Sequence, residues 1–553
     1  MLTKMKHNIT NINKQIFIMN FLFILAVTII YSLSVNIPLI KLNYPKEYFI
    51  LALFMSVARD FIIWFIAFLN KWVFAAFSFL SFVAGFGLKY VNEYLNMGLN
   101  IGTFEVIFST NLVEAKGVIN NTLITYFITG AVISIILTVL RFRLVNNKHK
   151  MNYTLGGGIL LIVSLILLFL GKMPENFMKT VKYGASEKDI INVGRGFDIM
   201  PEKIYENFYH LLRNKVKMKY MIHQRSNINI NDVVYNKKEE QIVIFILTDA
   251  LRADHTSLYG YSRETTPFME QYGFIPFNDM YACETSTTRS VPCLLTSMNR
   301  NEDFLTYLTK PSIFTIFKEA GFYTAFISAQ SSISTSDTGQ KVVADDADYS
   351  FFNVNFDVEY DTDLLPYFDN VLNNSSNSKL IVMQLNGSHW DYNTRFRPDD
   401  AKWKPLCENF ALDCPVENLI NSYDNTVLAT DTFVKNIVER VKDKNAVIYF
   451  SSDHGQLLGE GGLRLHAQGR LNFKELAAVP FAVWYSEKAK QYINIDTILY
   501  NKDKITTHDI IFHSISSCAG IESSIIDKNL SICSENLAEA PNEFENYISK
   551  KVE

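Results

Sequence analysis

Five apolar runs crowded into the first third of the chain constrain its fold most: about 16–35, 49–69, 72–88, 122–140 and 154–170. Each is near the roughly 17–25 residues that a helix needs to cross a bilayer. Together they predict a five-helix transmembrane bundle over residues 1–171, in preference to buried helices of a soluble domain. A cleaved signal peptide does not fit, because apolar spans keep coming and no small-residue cleavage site follows the first. The 553 residues are 48% apolar and 14% aromatic, which is rich for a soluble chain, and the excess sits in this third.

Basic residues in the short loops orient the bundle. Lys4, Lys6, Lys14, Lys71, Arg141, Arg143, Lys148 and Lys150 fall on one side, against Lys41, Lys46, Lys89 and Lys116 on the other. That bias places the N-terminus in the cytoplasm, and five crossings leave everything after Gly171 outside. All six cysteines lie on that far side, at spacings of ten, seven and fifteen: Cys283 and Cys293, Cys407 and Cys414, Cys518 and Cys533. An oxidising compartment allows three local disulfides. Sequence leaves the connectivity open, with a zinc knot as a poorer rival because no Cys-x2-Cys pair exists. The net charge of −4 hides the loop asymmetry and gives no reason to expect a nucleic-acid partner.

Arg59 and Asp60 interrupt the second run, where an internal ion pair or a shifted span boundary explains them better than a functional role. The loop from Tyr90 to Asn121 is long, and 103–119 reads as an amphipathic helix with Thr110 and Glu114 on one face. Such a helix serves either as a solvated surface element or as a lipid-handling platform. Residues 172–236 mix aromatic clusters with Arg213, Lys215, Lys217 and Lys219, which fits a plain linker or a connector lying along the membrane surface. An external domain follows over 237–536, then a polar tail over 537–553.

Three apolar strands give that domain its site. Gln241–Leu247 runs into Thr248 and Asp249, Lys379–Leu385 into Asn386-Gly387-Ser388-His389, and Asn445–Phe450 into Ser451-Ser452-Asp453-His454-Gly455. Such runs are buried on both faces of a parallel sheet, and their carboxyl ends are where open α/β folds put their sites. Asp249, Asp453, His454 and His389 therefore converge as a metal site built by a sheet. Between Cys283 and Cys293 lies a run of hydroxyls, Thr285-Ser286-Thr287-Thr288-Arg289-Ser290. Ahead of Val291-Pro292 it reads as a helix start, and a hydroxyl there also gains the positive end of the helix dipole. A divalent metal would help to ionise it.

These residues resemble a known family. Thr248-Asp249-Ala250-Leu251-Arg252-Ala253-Asp254-His255 with Tyr259-Gly260-Tyr261, the Cys283–Cys293 loop, Asn386–His389, and Ser452–Gly455 followed by Gly459-Glu460 and Leu465-His466 are similar to motifs of bacterial phosphoethanolamine transferases. Those enzymes decorate lipopolysaccharide and belong to the alkaline phosphatase superfamily. The resemblance implies a sulfatase-like α/β sandwich with a mostly parallel central sheet, Thr287 as nucleophile, and one tightly bound Zn2+ on Asp249, Thr287, Asp453 and His454, with room for a second. It implies His389 and His466 as catalytic and substrate-side histidines, and disulfides Cys283–Cys293 and Cys407–Cys414, leaving Cys518–Cys533 as the third. Thr110 and Glu114 match the family's loop helix, although Val106 replaces its polar residue one turn earlier. Relatives place a lysine for the lipid phosphate after the segment matching 321–328; here Lys341 is nearest, with Ser334 as the alternative. Position 249 is Asp where many relatives carry Glu.

The activity so implied is double displacement: Thr287 takes phosphoethanolamine from phosphatidylethanolamine, then passes it to a lipid A phosphate, core sugar or other envelope acceptor. The setting is a monomer in the bacterial inner membrane with its catalytic domain in the periplasm. A phosphoglycerol transferase or a sulfatase-like hydrolase would share the fold. A catalytically inactive lipid-binding membrane protein would not need all six site residues together.

Overall fold

Residues Ile242–Thr248 are buried along their whole length and form the strand (β1) around which the C-terminal half is built. In this computed structural model the described residues are 18–34, most of 57–94, 119–144 and most of 209–541. The expected span at 154–170, the loop helix with Thr110 and Glu114, Arg59, Ser334 and most of the connector lie outside them. The chain divides into two compact units, one N-terminal and helical, the other holding everything from Leu211 onward.

In the first unit, helices Ile18–Ser34 (α1), Lys71–Glu93 (α2) and Asn121–Leu144 (α3) cover three of the five expected spans. Among the described residues, α2 and α3 are long and apolar enough to cross a membrane. The count of five is not confirmed, since 154–170 lies outside the described residues and 49–69 is described only from residue 57. Trp72, Leu80, Ile128, Ile135 and Ile136 stay exposed, while Val27, Tyr31, Trp64, Phe74 and Phe82 pack inward. Polar groups inside the unit find partners: Ser134 Oγ donates to Ser78 Oγ at 3.1 Å, and Arg141 Nη2 donates to the Phe68 carbonyl at 2.9 Å. Lys89 Nζ donates to the Ser34 carbonyl at 2.7 Å and so closes the C-terminal end of α1, where a cation suits the dipole.

The second unit is a seven-stranded sheet between two layers of helices. Its strands are β1, Ile275–Pro276 (β2), Tyr323–Ser328 (β3), Tyr349–Phe352 (β4), Lys379–Gln384 (β5), Ala446–Ser452 (β6) and Phe481–Tyr485 (β7), in the spatial order β2-β7-β6-β1-β5-β3-β4. Alternation along β1 divides the core. Val243, Phe245 and Leu247 face helices Thr287–Leu295 (α4) and Asp509–Cys518 (α7), whereas Ile242, Ile244 and Ile246 face the long helix Val416–Val441 (α6). The period of two along a strand makes one run serve both layers.

The ladders β6–β1, β1–β5, β5–β3 and β3–β4 are parallel, but β7 pairs antiparallel with both β6 and β2. The expected mostly parallel sheet is thus corrected to a mixed one. β7 starts at the edge where β6 ends, with Phe481 opposite Ser451, so the two run antiparallel, whereas a parallel neighbour would need a crossover. An apolar run such as Phe481–Tyr485 carries no sign of its direction. Because β1 lies between β5 and β6, the three strand ends expected to meet are adjacent. The six cysteines pair as Cys283–Cys293, Cys407–Cys414 and Cys518–Cys533.

Candidate metal centre and nucleophile

Asp249 leaves the end of β1, Asp453 and His454 leave the end of β6, and donor atoms of the three lie within 4.8 Å of one another. All three are buried. His454 Nδ1 donates to the Gly455 carbonyl at 2.8 Å, which turns the Nε2 lone pair inward. That Nε2 lies 3.7 Å from Asp249 Oδ1 and 3.6 Å from Asp453 Oδ2. Asp453 Oδ1 accepts the N–H groups of Ala250 at 3.1 Å and His454 at 2.8 Å, while Oδ2 is buried with no hydrogen-bond partner among the described residues. Two buried carboxylates and an imidazole lone pair at one point are costly alone and suit a divalent cation. The donor set therefore fits zinc.

Thr287 is the first residue of α4, with Ser286 at the cap position. Its hydroxyl is 3.3 Å from Asp249 Oδ2 and 3.4 Å from His454 Nε2. Of the neighbouring hydroxyls, Ser290 is engaged elsewhere, donating to the Asp453 carbonyl at 2.6 Å. The Cys283–Cys293 bond closes this loop over the first part of α4, tying the segment that holds Thr287 to the core. Backbone strain at the site is held in place: Ala250 sits at φ 55°, in the left-handed region. Tyr423 Oη fixes it, donating to the Ala250 carbonyl at 2.7 Å and accepting the Arg252 N–H at 2.9 Å. Arg252 is in turn locked to Glu460 at 2.6 Å and Asp254 at 2.7 Å, both buried or part-buried pairs.

A short hairpin, Leu457–Leu458 with Arg464–Leu465, returns the chain so that the His466 ring lies 5.0 Å from that of His454 and 5.9 Å from that of His389. His389 Nδ1 donates to the Trp390 carbonyl at 2.6 Å, which leaves its Nε2 as an acceptor. Burial pushes His389 down to about 3 and His466 well below its usual value, which favours the neutral form of both rings. Lys341 was the lysine nearest the expected phosphate-binding position. It lies on the short helix Gly339–Ala344 (α5), with its ammonium paired to Asp345 and 5.9 Å from the Phe352 ring.

Two residues that sequence reasoning missed support the site. Gln330, just beyond β3, donates from Nε2 to Asp249 Oδ2 at 2.6 Å. His508 Nδ1 accepts the Cys283 N–H at 3.2 Å and lies 3.4 Å from Ser290 Oγ. The signal for Gln330 was its position after a fourth buried strand; for His508 there was none. Burial pushes His508 from 6.5 down to about 3. Its neutral form is favoured by folding, so its contribution to stability is complete above about pH 6.5 and is lost as pH falls toward 3, at up to about 1.4 kcal/mol per pH unit. Denaturant melts should accordingly show a shallower acid-side loss in His508→Asn than in the wild type.

Residues 241–521 match the family model described as Sulfatase, and the chain belongs to that family. The closer resemblance to phosphoethanolamine transferases holds as well. The chain is 30% identical over 263 residues to the Kdo(2)-lipid A phosphoethanolamine 7''-transferase of Escherichia coli (strain K12), an alignment that covers 45% of each. It spans about half the length of the curated relatives it matches first. Its fold matches that of the integral membrane protein lipooligosaccharide phosphoethanolamine transferase A (EptA) from Neisseria meningitidis with a TM-score of 0.76 at 21% identity, covering 94% of this chain and 99% of that one. The C-terminal periplasmic domain of EptC from Escherichia coli, solved in complex with Zn, matches at TM-score 0.51 and 23% identity, over 57% of this chain and 92% of that domain.

Proposed function

We propose that the chain is a zinc-dependent phosphotransferase of the bacterial inner membrane. In this reading it moves phosphoethanolamine from phosphatidylethanolamine to a lipid A phosphate or core sugar, through a covalent intermediate on Thr287. The observation that carries the reading is the Thr287 hydroxyl standing 3.3 Å from Asp249 and 3.4 Å from His454, at a helix N-terminus and beside a buried donor set of zinc type. The relatives named above, which transfer phosphoethanolamine, support the group transferred. Long apolar helices support a membrane protein, and the basic bias of its loops together with the disulfides supports a cytoplasmic N-terminus and a periplasmic catalytic unit.

Asp249, Asp453 and His454 would hold the zinc, with Thr287 completing the set. A zinc ion there supplies a lowered hydroxyl pKa and compensation for charge on the phosphoryl oxygens. Thr287 Oγ attacks phosphorus in line as the bond to the diacylglycerol oxygen breaks, and that oxygen takes up the proton the hydroxyl gave up. His389 and His466 face this region as neutral rings, and the charge of an arriving phosphodiester favours their protonated form, so either can carry that proton. In the second half an acceptor oxygen attacks the phosphothreonine, and the threonine oxygen leaves and is reprotonated. The positive end of α4 favours the anionic phosphoryl group in both halves.

The test uses full-length, zinc-loaded protein in vesicles of phosphatidylethanolamine and lipid A. Diacylglycerol release with a phosphoethanolamine mass gain on lipid A is expected, with no release from phosphatidylglycerol. Turnover of phosphatidylglycerol alone would move the assignment to phosphoglycerol transfer, and release of sulfate from sulfate esters to a sulfatase.

A further inference from the structure

We propose that Gln330 is a positioning residue for Asp249, and that the two form a length-matched pair which selects the carboxylate oxygen offered to the metal. The inference rests on the metal reading above. Gln330 is buried, and its Nε2 lies 2.6 Å from Asp249 Oδ2. Only the amide nitrogen can face a carboxylate at that distance, because the reverse orientation would oppose two oxygens. Gln330 Oε1 must then point away, and there it accepts from Gln384 Nε2 at 3.1 Å and Gln340 Nε2 at 3.5 Å. Gln384 consequently turns its own Oε1 to the hydroxyl of Ser328, 3.1 Å away, which also accepts the Gln330 backbone N–H at 3.1 Å. Every link has one donor and one acceptor, so the polarity of the chain is fixed from Ser328 at the end of β3, through Gln384 at the end of β5, to Asp249 at the end of β1.

The consequence concerns ligation. Oδ2 is held by an N–H that cannot ionise, and Oδ1, 3.7 Å from His454 Nε2, is left turned toward the other donors. Once Thr287 gives up its proton, its hydroxyl no longer donates to Oδ2, and the Gln330 amide remains to hold that oxygen aside. Asp249 thus acts as a one-oxygen ligand through Oδ1. The short reach of aspartate is taken up by the longer glutamine. Glutamate at 249 would push its carboxylate into the amide, asparagine at 330 would leave a gap, and the two changes together restore the contact.

Zinc affinity of the full-length detergent-purified protein, measured by competition with a chromophoric chelator, and the visible absorption of the cobalt(II)-substituted form test this without reference to transfer. Gln330→Leu and Asp249→Glu are each expected to weaken zinc binding by about 10- to 100-fold and to change the cobalt spectrum, as loss of an outer hydrogen bond to a metal ligand does. The double variant Asp249→Glu/Gln330→Asn is expected to bind more tightly than Asp249→Glu alone. Thermal melts of the metal-free proteins separate loss of folding from loss of binding. Wild-type affinity and spectrum in Gln330→Leu, or a double variant no better than Asp249→Glu, would overturn the inference while leaving the metal reading intact. Absence of stoichiometric zinc in the wild type would overturn both.

Discussion

Thr287→Ala is expected to lower transfer by roughly 10^4-fold or more while leaving one zinc bound. The two effects separate because Asp249, Asp453 and His454 follow strand ends whereas Thr287 begins a helix. Asp249, Asp453 and His454 stay together without Thr287 and would still hold the metal. In the wild type trapped during turnover, the peptide containing Thr287 should gain one phosphoethanolamine group. Thr285, Ser286 and Thr288 are equally capable hydroxyls by chemistry, but among them it is Thr287 whose oxygen is recorded within 3.4 Å of the His454 nitrogen. A label on Thr285 or Thr288, or turnover near normal in Thr287→Ala, would remove Thr287 from the mechanism. Activity without any covalent adduct would require direct transfer between the two lipids.

Gly387→Ala should damage the metal centre from behind. A Cβ at Gly387 would lie 2.0 Å from Thr248 Oγ1 and 2.8 Å from the Asp249 nitrogen, and the residue sits at φ +52°. The left-handed backbone and the overlap together cost about 2–5 kcal/mol, and relief of the overlap moves Asp249. Gly260→Ala is the matching control: its φ is +88°, but among the described residues nothing lies within 4 Å of the added carbon. It should cost only the backbone term, about 1–2 kcal/mol, with zinc retained. Denaturant melts and zinc content of the two variants decide the matter. Equal metal content in both would mean that Gly387 does not set the position of Asp249.

The strands were readable because burial on both faces leaves an unbroken apolar run, and Ile242–Thr248 is such a run from end to end. The meeting of Asp249, Asp453 and His454 was readable because each follows a run of that kind, so one inference supplied both the sheet and the cluster at its edge. Direction was not readable in Phe481–Tyr485, since the ladder it joins depends on a connection whose path no local residue encodes. Gln330 escaped notice for a related reason. Glutamine has no strong preference for a site, and its role arises only when β1, β3 and β5 lie side by side. Lys341 was proposed from its type and its distance along the chain, which do not encode the ion pair that its ammonium makes with Asp345.

The pairing of the cysteines bears on how the chain is made. Each bond joins neighbours in the order of synthesis, first 283 to 293, then 407 to 414, then 518 to 533, and no bond crosses another. If the chain emerges into an oxidising compartment, as proposed, a thiol oxidase there needs only to couple every second cysteine to the one before it. The correct set then arises by default, without shuffling, and a cell short of disulfide isomerase should make this protein as well as any other.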